Sequence, residues 1–175
     1  MNIALLLQMA AEACQDRNAI TFEGEHYDYQ TLFDAASRAA KTFSESGCRF
    51  VSVLDTSSPA APIALMGAAM AGLPYVPLNY RLTDDQLSAL IERIEPAFLI
   101  TESADCQFDV KTHMSREAFL RAAMADGPSI ETWHEDPSAV AVQLFTSGTT
   151  GTPKAALLRH EHLVSYILGS VEFMG

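Results

Sequence analysis

Cysteine and basic residues are both scarce in this sequence, and each scarcity argues against a class of protein. The 175 residues include three cysteines, far apart and without a C-x-x-C pair, so neither a disulfide framework nor a zinc site is indicated. Eleven Lys and Arg residues stand against 22 Asp and Glu residues, and the net charge of −11 opposes attraction to nucleic acid or anionic membranes. An anionic ligand therefore needs a local binding site.

Long apolar runs are missing as well. No stretch approaches the roughly eighteen apolar residues that a transmembrane helix requires, and the apolar residues 3–7 do not follow the basic residues that a signal peptide requires. Hydrophobic residues make up 49% of the chain, enough for one sizeable core. We therefore expect a globular, cytoplasmic protein with reduced cysteines and no transmembrane segment.

Helix-like and strand-like segments alternate along the chain. Apolar residues recur at helical spacing in four segments, 3–14, 30–47, 83–95 and 115–124, and an Ala- and Met-rich helix is predicted to end at Gly72. Short apolar runs predict strands at 50–54, 75–78, 98–101 and 140–145, with a weaker signal at 108–110. This order predicts an α/β fold: a parallel sheet of βαβ units covered by helices on both faces. A small β-hairpin is predicted around Gly24, near the amino terminus.

A polar segment follows the last predicted strand. Residues 146–154 read TSGTTGTPK, with five hydroxyls, two glycines and one lysine. Glycines allow backbone N–H groups to approach an anion, hydroxyls add donors and an ammonium neutralises phosphate charge. The order differs from a Walker A loop, because Pro153 rather than Gly precedes Lys154 and residues 155–158 look extended rather than helical. The segment is thus either a phosphate-binding loop or a flexible surface hairpin.

The nine residues resemble the phosphate-binding signature of the adenylate-forming superfamily, which includes acyl-CoA synthetases, adenylation domains of peptide synthetases and luciferases. Residues 28–40, 67–82 (GAAMAGLPYVPLNYRL) and Asp136-Pro137 are also similar to segments of these enzymes. The resemblance covers the chain from about residue 19 to its end. It implies that residues 1–175 form the amino-terminal part of the large AMP-binding domain, without the small carboxy-terminal domain.

The resemblance also implies a two-step reaction. A carboxylate attacks the α-phosphate of Mg-ATP to give an acyl-adenylate and pyrophosphate, and a thiol of CoA or of a carrier protein then displaces AMP. The residues that would hold the β- and γ-phosphates are Thr146, Ser147, Gly148, Thr149, Thr150, Gly151 and Lys154. Their role would be positioning and charge stabilisation. No His or Asp stands near Ser147 or Thr149 in sequence to activate it as a nucleophile, so no catalytic or metal-binding residue is assigned.

Three positions depart from the family pattern or bear on the substrate. Ala155 stands where the family usually has glycine, and the connection around Cys48 is shortened. Asn79 stands where amino-acid adenylating domains usually have aspartate. The substrate is therefore expected to be a fatty or other organic acid, although an amino-acid adenylating domain stays an alternative.

The chain is about a third as long as the enzymes it resembles. We therefore expect a fragment that is inactive alone, binds Mg-ATP more weakly than millimolar or not at all, and self-associates through exposed apolar surface. The alternative is a non-catalytic, stand-alone module with the same fold. Two histidines, His160 and His162, could suggest a metal site, but side chains two apart on a helix point in different directions. Trp133 is expected to pack rather than to stack on a ligand.

Overall fold

The computed structural model describes residues 1–146 and 153–170. The helices are α1 (Ile3–Cys14), α2 (Tyr29–Glu45), α3 (Ala60–Ala71), α4 (Asp84–Ile91), which continues into a 3-10 turn (Glu92–Ile94), α5 (Arg116–Met124) and α6 (His160–Ser170). The strands are β1 (Asn18–Phe22), β2 (Glu25–Asp28), β3 (Phe50–Leu54), β4 (Tyr75–Pro77), β5 (Ala97–Thr101), β6 (Thr112–Ser115), β7 (Val140–Thr146) and β8 (Lys154–Arg159).

A six-stranded sheet with the order β6-β5-β3-β4-β7-β8 forms the centre of the fold. Its first five strands are parallel, and only β8 runs antiparallel to its neighbour β7. Helices α1, α2, α3, α5 and α6 pack their apolar side chains on one face, and α4 covers part of the other. The predicted α/β class, the parallel sheet with helices on both faces and the β1–β2 hairpin are therefore confirmed.

Capping residues set the helix boundaries. The Thr83 hydroxyl accepts the backbone N–H of Gln86 at 3.4 Å, and the Gln86 side chain accepts the Thr83 N–H at 3.0 Å, so the capping box starts α4 where the sequence predicts it. Helix α3 ends before Gly72, whose φ of 72° is a left-handed conformation that glycine adopts without strain. Local sequence signals thus place these connections accurately.

The weak strand predicted at 108–110 is wrong. The strand that pairs with β5 is β6, at Thr112–Ser115. Phe108 and Val110 pack their side chains against the apolar cluster beneath α4 instead. Alternating apolar residues in a loop can also be buried, so this pattern does not by itself specify a strand.

The antiparallel β8 has a simple cause. Only residues 147–153 separate it from β7, and a parallel return would need a crossover of a dozen or more residues. The two strands pair from Val140 with Arg159 to Thr146 with Lys154.

Among the helices described, none combines the length and apolarity needed to cross a bilayer.

Candidate anion site at the carboxyl edge of the sheet

Strand β7 carries the chain from the core to the carboxyl edge of the sheet. Ala141 and Val142 are buried, whereas Thr146 is exposed at the strand's end. Because β7 is parallel to β4, Thr146 lies at the edge where the other parallel strands also end. Ligands of open α/β sheets bind at this edge.

Two of the seven predicted phosphate-binding residues lie in the described part of the chain, and the structure brings them together. Thr146 and Lys154 are directly opposite each other on β7 and β8, and the Thr146 hydroxyl donates to the Lys154 carbonyl at 3.4 Å. The other five, Ser147, Gly148, Thr149, Thr150 and Gly151, lie outside the described residues. Both ends of the segment are therefore anchored in one strand pair.

The Lys154 side chain is exposed at the start of β8. Within 1–146 and 153–170, no carboxylate forms an ion pair with its ammonium group. An exposed lysine at the end of a strand, beside the Thr146 hydroxyl, offers a point charge and a donor to an anion. These two residues fit a phosphate ligand.

The structure also brings Arg93, which the sequence did not single out, to the same segment. Its guanidinium donates to the Pro153 carbonyl at 2.7 Å and lies over the Phe145 ring, 4.8 Å from the centroid. Arg93 sits in the 3-10 turn after α4, between two glutamates. Nothing in such a charged helical end distinguishes this arginine from solvated surface, so no sequence signal could have found it.

A cavity of about 520 Å³ opens at the same edge of the sheet, beyond the ends of β3 and β5. Leu54, Tyr80, Leu87, Thr101 and Phe108 are among its lining residues. Tyr80 is 51% exposed, which leaves its ring accessible from solvent. Neither Thr146 nor Lys154 lines this space.

One wall of the cavity is held by a partly buried ion pair. The Asp55 carboxylate, whose side chain is fully buried, accepts from the Arg116 guanidinium at 3.0 Å and from the Ser58 hydroxyl at 2.7 Å. Burial, and secondarily the Asp55 charge, raises the pKa of Tyr75 to about 12. Tyr75 is therefore a neutral core phenol rather than an acid or base.

The two carboxy-terminal histidines are structural residues. His160 begins α6 and is buried, and its Nδ1 accepts the Ile3 N–H at 3.3 Å. The Nδ1 of the exposed His162 accepts the Arg159 N–H at 3.2 Å. No group of three or more potential metal ligands occurs in the part of the chain that the structure describes.

Trp133 packs edge-on to Phe33, with 6.3 Å between centroids, as expected.

The sheet and its paired Thr146 and Lys154 define an α/β protein with a candidate anion site at the carboxyl edge. A sequence model described as "AMP-binding enzyme" matches residues 7–174. The chain therefore belongs to the AMP-binding enzyme family, and its resemblance to the adenylate-forming superfamily is confirmed.

Individual relatives agree with this assignment. Tyrocidine synthase 1 of Brevibacillus parabrevis is 28% identical over 170 residues, which cover 94% of this chain and 16% of that protein. Among solved structures, a fatty acyl CoA synthetase of Mycobacterium tuberculosis superposes with a TM-score of 0.78 at 22% identity, covering 98% of this chain and 38% of that one. The N-terminal subdomain of Klebsiella oxytoca NpsA, in complex with 3-hydroxybenzoyl-AMSN, gives a TM-score of 0.76 at 19% identity, covering 91% and 41%.

The chain thus spans less than half the length of these relatives. Because the two solved structures share only 19% and 22% sequence identity with this chain, their similarity shows the fold alone. The relatives include both a tyrocidine synthase and a fatty acyl CoA synthetase, so family membership does not identify a substrate.

Proposed function

We propose that residues 1–175 are the amino-terminal part of the AMP-binding domain of an ATP-dependent carboxylic acid ligase. The segment 146–154 would hold the β- and γ-phosphates of ATP. The observation that carries this proposal is the pairing of Thr146 with Lys154 at the carboxyl edge of the sheet. This pairing places a hydroxyl and an ammonium on either side of the Ser/Thr/Gly-rich residues 147–152.

In the proposed reaction the segment takes no covalent or acid–base part. A substrate carboxylate displaces pyrophosphate from the α-phosphate of Mg-ATP and forms an acyl-adenylate. Lys154 offsets the charge that builds up on the departing phosphates. The Thr146 hydroxyl, whose hydrogen bond to the Lys154 carbonyl is long at 3.4 Å, turns from that carbonyl to donate its one hydrogen to a phosphate oxygen. A thiol of CoA, or of a carrier protein, then accepts the acyl group and releases AMP.

A fatty or other organic acid is the substrate class that we propose, with CoA as acceptor. Asn79 accepts the Arg81 N–H through its side-chain oxygen at 3.0 Å, a contact that an aspartate could make equally well. The structure of the turn therefore gives no reason for asparagine at position 79. The difference from the aspartate usual in amino-acid adenylating domains is our reason for proposing a different class of acid. The 28% identity to a peptide synthetase favours the alternative of an amino-acid substrate and a carrier-protein thiol.

Substitution of Lys154 tests the proposal in the longer ligase that the proposal predicts. ATP–pyrophosphate exchange is measured with a panel of fatty, aromatic and amino acids. Lys154→Ala is expected to lower the exchange rate by ~100-fold or more, as for the loss of one preorganised charge or donor in an active site. Lys41→Ala serves as control, because Lys41 pairs with Glu45 on the surface of α2, away from the sheet edge.

Three results would each count against a part of the proposal. Exchange that is unaffected by Lys154→Ala would remove the phosphate role of the segment. A stop codon directly after Gly175, together with a 175-residue chain that does not bind tripolyphosphate, would favour the non-catalytic module. Pyrophosphate release by the 175 residues alone would overturn the view that they are an incomplete enzyme.

A further inference from the structure

We propose that Arg93 is a positioning residue that holds together the two ends of the segment 146–154. One guanidinium contacts Phe145, the residue before Thr146, and Pro153, the residue before Lys154. One contact lies on the strand β7, and the other lies on the residue that directly precedes β8. Arg93 thereby fixes the spacing between the residues that carry the hydroxyl and the ammonium. Its importance for phosphate binding rests on the proposed function, whereas its structural role does not.

The hydrogen bond acts on the peptide unit that leads into Lys154. The Pro153 carbonyl and the Lys154 amide belong to one planar group. A donor that fixes the direction of this carbonyl at 2.7 Å therefore restrains the backbone from which the lysine side chain projects. That restraint fixes the point from which the flexible Lys154 side chain starts.

The aromatic contact suits arginine in particular. A planar guanidinium can stack on a ring and still donate from its edge. Phe145 is partly buried against the cluster beneath α4, so the ring is a fixed support. Arg93 itself is exposed, so neither contact on its own is strong. Acting together on β7 and on the residue before β8, they reinforce the last pair of the strand ladder, where the Thr146–Lys154 hydroxyl bond of 3.4 Å adds little.

Amide hydrogen exchange in the 175-residue chain tests the positioning role directly. In Arg93→Ala, the amides of Phe145, Thr146, Lys154 and Ala155 are expected to exchange about tenfold faster than in the wild type, given the usual strength of a charged hydrogen bond and an exposed cation–π contact. The amides of Gln143 and Leu157, which are paired further along the same strands, are expected to keep their rates.

Arg49→Ala is a matched control. Arg49 is exposed and its guanidinium also lies over a ring, 6.0 Å from the centroid of Phe50, but it precedes β3 at the opposite edge of the sheet. Loss of this arginine changes the net charge equally and is expected to leave exchange at Thr146 and Lys154 unchanged. Equal rates in Arg93→Ala and the wild type, or a uniform acceleration throughout the sheet, would overturn the proposal.

A second measurement connects the position to anion binding. Inorganic tripolyphosphate is titrated into the isotope-labelled 175-residue chain up to on the order of tens of millimolar, a range that reaches weak binding. The NMR chemical shifts of the Thr146 and Lys154 amides are followed, and a titration with sulfate at equal ionic strength is the reference. Arg93→Ala is expected to weaken the tripolyphosphate response about tenfold. Arg93→Lys, which keeps the charge and a donor, is expected to restore part of it.

The two measurements separate the two ideas. If tripolyphosphate does not shift these amides even in the wild type, the proposed phosphate role fails, while the exchange result still decides whether Arg93 holds the segment. If Arg93→Ala accelerates exchange but binds tripolyphosphate as tightly as the wild type, the link between positioning and binding is refuted.

Discussion

Two histidines two positions apart show how burial decides the chemistry of a residue. His160 and His162 each accept a backbone N–H through Nδ1, but His160 is 2% exposed and His162 lies on the surface. Burial lowers the pKa of His160, opposed by the charge of Glu135 and assisted by the amino-terminal amine. The folded state therefore requires a neutral imidazole at position 160.

This requirement predicts an acid-dependent loss of stability. A histidine whose pKa is lower in the folded state contributes stability above its unfolded pKa of about 6.5, and that contribution is lost as the pH falls below this value. The loss is at most about 1.4 kcal/mol for each pH unit. In His160→Asn, whose side-chain oxygen can take the place of Nδ1, urea unfolding is expected to show a smaller decrease in stability between pH 7 and 5 than the wild type.

His162→Asn is the control for this experiment, because it preserves an acceptor at an exposed position and is expected to show the wild-type pH dependence. The pKa of His113 is also lowered by burial, so both variants retain its acid-dependent loss, and only the difference from the wild type reports on His160. An identical pH profile in His160→Asn and the wild type would show that His160 does not titrate on unfolding.

Gly67 on α3 allows this helix to pack closely against α2. A Cβ at Gly67 would lie 3.0 Å from the Ala36 carbonyl oxygen and 3.0 Å from the Ala39 Cβ, distances that require the backbone to move. We expect Gly67→Ala to lower the free energy of unfolding by about 1–3 kcal/mol through overpacking, which exceeds the gain of up to ~1 kcal/mol in helix propensity. Thermal unfolding in a calorimeter measures the change.

Gly169 provides the opposite case. It lies in α6, and a Cβ at this position would have no heavy atom of the described residues within 4 Å, so Gly169→Ala is expected to raise stability by up to ~1 kcal/mol through helix propensity alone. If both alanine variants were stabilised, the close approach at Gly67 would not be a steric requirement.

The secondary structure was largely predictable because its signals are local. The Thr83 and Gln86 capping box, the stop at Gly72 and the apolar strand before Thr146 each depend on neighbours in sequence. The contacts that complete the candidate site are not local: Arg93 reaches Pro153 across 60 positions. Such contacts arise from the way in which elements pack, which hydrophobic periodicity does not encode. The phosphate role of all seven predicted residues stays a prediction, and Ser147 to Gly151 lie outside the described residues.

Across the whole molecule, apolar side chains remain exposed at the carboxy-terminal end of the described chain. Leu157 on β8 is 51% exposed, and Tyr166 and Leu168 on α6 are 75% and 43% exposed. We call the exposed region that these residues occupy, on β8 and on two sides of α6, the carboxy-terminal apolar surface. Among the residues that the structure describes, β8 is also an edge strand. Exposed apolar side chains beside an edge strand are a common basis for association.

We therefore expect the 175-residue chain to self-associate reversibly through this surface. Its net charge of −11 opposes association, so added salt should strengthen it by screening the repulsion between copies. In sedimentation velocity, the double substitution Tyr166→Ser and Leu168→Ser is expected to raise the dissociation constant at least tenfold, since two large apolar groups would no longer be buried. Met9→Ser, at a position on α1 that is 54% exposed, should leave it unchanged. A monomer at every concentration, even at high salt where the repulsion is screened, would show that the apolar surface does not drive association. Equal effects of both substitutions would place the contact elsewhere.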